Sequence, residues 1–161
     1  MTSGSSSLPP PEPVLEQWLN AGWLIRRSAL RGDIARLFKV ADRDLRDMAS
    51  PNLSRDGRFI FAYSAGLACA HAALTASGYD AAKGHSHHHY IIKSLHHSLG
   101  YDIATVDMFD QMRAKRHQGT YQQVGVVSSA ELDAMLQLAK RLRVEVEAWI
   151  QQHRPQLLTK A

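Results

Sequence analysis

Two short stretches of the chain hold the residues best suited to chemistry. One is Arg113-Ala114-Lys115-Arg116-His117, with Tyr121 four residues further on; the other is His85-Ser86-His87-His88-His89, followed by His96-His97. A guanidinium presents a planar fork of donors that matches a phosphate, and an imidazole exchanges a proton near neutral pH. Together they supply what metal-free attack of a hydroxyl on a phosphodiester requires: a base for the hydroxyl proton, an acid for the leaving oxygen, and a cation for the charge that grows on the phosphoryl oxygens. Arg113 and His117 are four apart, so they share one helical face if a helix runs through both. Tyr121 is a weaker candidate for base, because a phenol ordinarily titrates near a pKa of about 10.

The histidine stretch allows a second chemistry. Imidazoles are good ligands for zinc, nickel and copper. His85 paired with His88 or His89 has the spacing of a chelating pair, provided the helix there begins early. No cysteine or carboxylate completes the set, Asp80 being the nearest acid, so no cofactor is expected and His85, His88 and His89 are only candidate metal ligands. The other expectation is that His88 and His89 pack against the Arg-rich helix, which places titratable groups beside Arg113 and Arg116. His71 reads as a hydrogen-bonded core histidine, and His153 as one that suits the C-terminal end of its helix.

Each of these features also has a structural explanation. Arg113, Lys115 and Arg116 near a helix C-terminus offset the macrodipole with no ligand present, and Tyr121 after Gly119 can pack over the end of a bundle. Further basic clusters at Arg26-Arg27 with Arg31, and at Lys140-Arg141 with Arg143, lie on amphipathic segments and read as solvated faces. The net charge of +4 permits an anionic partner without requiring one.

These groups must be positioned by helices. The 161 residues, 45% of them hydrophobic, suffice for one domain with one core. Residues 1–13, rich in Ser, Gly and Pro, read as a disordered tail, residues 14–153 as the domain, and residues 154–161 as a C-terminal tail. A first helix is expected from Val14, with Leu15, Trp18, Leu19 and Ile25 on its apolar side. After Gly32, Asp33 caps a second, whose stripe is Ile34, Leu37, Phe38, Ala41, Leu45 and Met48. The span from Asp56 to Ser77 is uniformly apolar and rich in small residues, which marks a central helix. Tyr90, Ile91, Leu95 and Leu99 predict a shorter helix ending at Gly100, and a fifth begins near Asp102 or Thr105. Ser128 and Glu131 then open a long last helix running through Leu132, Met135, Leu142, Val146 and Ile150. No segment alternates with period two, and Val124-Gly125-Val126-Val127 reads as a connection. The fold expected is therefore all-α: an up-and-down bundle of four to five main helices with an additional N-terminal helix.

The lone cysteine, Cys69, lies within an apolar stretch and excludes a disulfide within one chain. No signal-like N-terminus is evident, and no apolar run approaches the roughly 18 residues of a membrane span. A cytoplasmic protein without membrane contact is the expectation.

Residues 55–150 resemble the HEPN superfamily of helical domains, in particular its short stand-alone bacterial members. The resemblance rests on Asp56-Gly57-Arg58-Phe59 entering an Ala-rich helix, on the Ala76-Ser77-Gly78-Tyr79 turn, on His88-His89 at the start of the next helix, and on the run from Asp110 to Tyr121, in that order. It implies a homodimer that brings two copies of an Arg-containing helix end together, and binding of RNA. In members that cut RNA it implies a metal-independent endoribonuclease. Carried onto this chain, Arg116 is the motif arginine, His117 stands at a polar position that is often Asn, and Tyr121 stands where the motif histidine is usual. Arg116, His117 and Tyr121 are then the catalytic candidates, with Arg113, Lys115 and Arg116 binding phosphate. A toxin–antitoxin or defence setting follows from the same resemblance. The alternative is a non-catalytic helical adaptor for a protein partner, such as an antitoxin-like component.

Overall fold

The computed structural model describes residues 13–121 and 126–158, without the side chains of 118–121. The expected tail over residues 1–13 therefore lies outside the described residues except at Pro13, as do Val124-Gly125 of the expected connection and the last three residues of the C-terminal tail. The elements run in the order α1 (Pro13–Asn20), β1 (Leu24–Arg26), α2 (Arg31–Asp47), α3 (Arg55–Ala76), β2 (Tyr79–Ala81), α4 (His87–Ser98), α5 (Ile103–Tyr121) and α6 (Ser129–His153). The architecture is an all-α bundle with one small two-stranded ribbon.

Helix α3 is the axis, packed against α2, α4, α5 and α6. Its N-terminus is fixed by Ser54, whose hydroxyl accepts the Gly57 amide at 3.0 Å. Its small residues are buried almost without exception, including Ala62, Ala65, Cys69, Ala70, Ala72 and Ala73. Gly66 shows why size matters: a Cβ there would lie 2.9 Å from Met135 Cε and 3.3 Å from Phe109 Cζ. Helices α5 and α6 both approach α3 at that point. By length and composition α3 would also suit a membrane span, contrary to the expectation from sequence, and 72% of its most apolar 18-residue window is buried inside the bundle. Packing on nearly all sides accounts for its apolarity.

The last helix begins as expected. Ser128 and Glu131 form a reciprocal cap, with the Glu131 amide donating to Ser128 Oγ at 3.1 Å and the Ser128 amide to Glu131 Oε1 at 3.0 Å. Met135, Leu138, Ala139, Leu142, Val146 and Ile150 form its buried face.

Three expectations are corrected. Helix α1 ends at Asn20, so Ile25 belongs to β1, which pairs antiparallel with β2 in the register Leu24↔Ala81, Ile25↔Asp80, Arg26↔Tyr79. Strands of three residues are too short to display a period-two pattern. Helix α2 begins at Arg31 and takes Gly32 into its first turn, and Asp33 acts from the third helical position by accepting the Leu30 amide at 2.9 Å. Beyond His153 the chain forms a 3₁₀ turn, Pro155–Leu157, whose Leu157 is buried against the bundle.

Candidate functional site

Helix α5 is anchored by its first half. Thr105 donates its hydroxyl to Asp102 Oδ1 at 2.6 Å, and Val106, Phe109 and Met112 are buried. The three- and four-residue spacing of a helix then places Asp110, Arg113, Arg116 and His117 on a common side away from the core. Helix α4 is locked by Ile91, Ile92 and Leu95, all buried. Its N-terminus has no side-chain cap from Ser86 and no acid in the first turn. The positive end of its dipole, which usually attracts a carboxylate, is instead surrounded by imidazoles.

These two helices and α3 enclose a cleft of about 710 Å³. Arg113, Arg116 and His117 enter it from α5; Lys83, His85, His87 and His88 enter from α4 and the loop before it; Tyr63, Ser64 and Leu67 form its floor on α3. The phenol of Tyr63 meets His88 Nδ1 at 3.4 Å, and its ring packs edge-on against Phe109 at a centroid distance of 5.9 Å. Arg113 is braced rather than loose, donating from Nε to Asp110 Oδ1 at 2.8 Å.

The charges explain how the groups titrate. Partial desolvation holds His87 and His88 below the ordinary imidazole range; for His87 the carboxylate of Asp80 opposes this, while for His88 the neighbouring His87, Arg113, His71 and Arg116 reinforce it. Burial pushes the Tyr63 phenol up, so it stays protonated at neutral pH. Burial would also raise Asp110, but the hydrogen bonds from Arg113 and His89 outweigh it and keep the carboxyl below its usual range. Behind the cleft, Asp80 is treated the same way: burial raises it, and the charge and hydrogen bond of His71, the Ala81 amide and Arg27 bring it below. His71 Nε2 lies 2.9 Å from Asp80 Oδ1, and His87 Nε2 lies 3.8 Å from the same oxygen.

Of the residues singled out in the sequence, the structure brings Arg113, Arg116, His117, His85 and His88 into one cleft. Lys115 turns to α6, where its ammonium pairs with Glu131. His89 lies on another side of α4, with Nδ1 at 3.0 Å from Asp110 Oδ1. The side chain of Tyr121 lies outside the described residues. Sequence reasoning took His87 only as a member of the histidine run and did not single out Lys83 or Tyr63. A tyrosine inside an apolar helix reads as core. Among the described residues, no three His, Cys, Asp or Glu side chains gather as a metal-holding set.

No family model matches the chain, and neither curated proteins nor solved structures give a significant match.

Proposed function

We propose that the α4–α5 cleft binds the phosphodiester backbone of RNA, in a HEPN-like homodimer, and that its imidazoles promote cleavage of the strand without a metal. The observation that carries this reading is the meeting of Arg113 and Arg116 with His88 and His117 in one cleft, although His88 lies 25 positions before Arg113 in the sequence. The guanidinium groups and the open N-terminus of α4 favour an anion. In the cleavage step the 2′-oxygen bonds to phosphorus and the bond from phosphorus to the 5′-oxygen breaks. A proton leaves the 2′-hydroxyl and one reaches the 5′-oxygen, giving a 2′,3′-cyclic phosphate and a 5′-hydroxyl. The imidazole of His88, which burial holds below its ordinary range, suits the first transfer.

The test is fluorescence anisotropy with a labelled single-stranded RNA over a salt series, alongside a cleavage assay in chelator. Replacing Arg113 and Arg116 together by Ala is expected to weaken binding at least about tenfold, and to flatten the salt slope by roughly 0.7 for each phosphate that is no longer neutralised. Equal binding by the wild type and the double variant sinks the proposal and leaves the adaptor reading. Binding without any cyclic-phosphate product keeps the RNA site and removes the enzyme.

A further inference from the structure

A second cavity, of about 490 Å³, opens on the side of α4 that carries His89. Its walls are aromatic. Trp23, just before β1, stacks on Tyr90 with centroids 5.1 Å apart and planes at 14°, and Trp18 meets Tyr90 edge-on at 5.5 Å. Trp23 remains 44% exposed, and Ile103, which lines the same cavity from the start of α5, 61%. Large apolar side chains are ordinarily covered, so an open indole and an open isoleucine over one formed cavity mark a surface that takes an occupant.

The polar groups of the wall decide its kind, because they are engaged within the protein. Lys93 pairs with Asp107, His89 Nδ1 lies 3.0 Å from Asp110 Oδ1, and His96 Nδ1 lies 2.6 Å from the Tyr101 carbonyl oxygen. The cavity therefore offers a guest ring faces and methyl groups rather than hydrogen bonds. A guest that buried its own amide N–H groups there would give up water and gain no acceptor, which is costly. Consecutive prolines avoid that cost. They carry no N–H, and their rings present apolar surface on a backbone already extended before binding, which is how polyproline segments seat on aromatic grooves.

The chain supplies such a run in Leu8-Pro9-Pro10-Pro11, which lies outside the described residues and is joined to α1 through Glu12 and Pro13. Trp18 lies five positions along α1 from Pro13, and Trp23 follows the end of that helix, so both stand away from the end at which the run joins. Every residue from Leu8 to Glu12 is a proline or precedes one. Residues of these types resist the sharp reversal that a return along the same α1 requires. The cavity such a run can reach is that of another molecule.

We propose that the Trp18–Trp23–Tyr90 cavity is a docking site for the Leu8-Pro9-Pro10-Pro11 segment of a second copy of this chain, with proline rings packed against Trp23 and Ile103. Docking there does not depend on RNA binding at the α4–α5 cleft.

Paramagnetic relaxation in a mixture of two full-length populations tests this. One carries a nitroxide at Ser7→Cys and no isotope, the native Cys69 being buried and out of reach of the label. The other carries 15N and no nitroxide. Tryptophans stand at positions 18, 23 and 149, and Trp149, on α6 and outside the cavity, is the internal reference. The Trp18 and Trp23 indole signals of the 15N copies are expected to lose intensity in the mixture while Trp149 keeps its own. Replacing Pro9, Pro10 and Pro11 together by Ser in the nitroxide copies alters no described residue and should restore both signals. Trp23→Leu in the 15N copies should restore the Trp18 signal, with circular dichroism confirming that this variant folds. The proposal is overturned if the mixture leaves Trp18 and Trp23 unchanged, if Trp149 weakens equally, or if either variant loses as much intensity as wild type. It is overturned as well if the loss appears only when nitroxide and 15N share one chain diluted among unlabelled copies, since the segment then occupies its own cavity.

Discussion

The contact of α3 with α6 and the cleft between α4 and α5 are built on opposite terms. In the first, neutral side chains fill space: Ala65, Ala72, Met135, Ala139 and Leu142 are fully buried, and Gly66 allows the backbones to close. In the second, charges and imidazoles surround an open volume and little is filled. Interior stability is therefore set by shape, whereas behaviour at the cleft is set by protonation and by what enters it.

That contrast can be broken most forcefully at Phe109, which serves both regions by packing under Gly66 and against Tyr63. Phe109→Ala should cost about 3–5 kcal/mol in urea-induced unfolding, the usual cost of emptying an aromatic core position. A change near zero would mean that the interior is not close-packed there. A smaller effect, about 1–3 kcal/mol, is expected for Gly66→Val from overpacking. Gly66→Ala should cost less, because Met135 Cε is the far end of a flexible side chain and can move aside.

The cleft should respond instead to pH. His87 and His88 titrate below their unfolded values, so the unfolded chain takes up protons first as pH falls. Their contribution to stability is present above an unfolded pKa of about 6.5 and is lost as pH drops through the lower folded values. Thermal melts from pH 7.5 to 5 should show a declining Tm, and a His87→Gln, His88→Gln double variant should decline less. Identical slopes in both proteins would place the acid sensitivity elsewhere. Anion affinity should move the other way, rising as the same imidazoles gain charge.

How much of this could be read from sequence follows the same division. Helices announced themselves where burial is periodic, as in α2, or where a cap is local, as at Ser128 and Glu131. The β1–β2 ribbon was invisible because its two strands are three residues each and more than 50 positions apart. The arginines and histidines were identified by type and spacing, and the cleft contains most of them. Which imidazole faces which helix was beyond sequence, since His88 and His89 are adjacent yet line different cavities, a consequence of the 100° step between helical neighbours. Lys115 likewise sits one position from Arg116 but pairs with Glu131.

Tyr63 carries a consequence of its own. Its phenol keeps its proton across the physiological range, and where that proton is donated to Nδ1 of His88, the neutral imidazole must hold its single hydrogen on Nε2. Acting as that donor, one hydroxyl anchored in the interior fixes the tautomer of a ring at the surface, and Tyr63→Phe would release it.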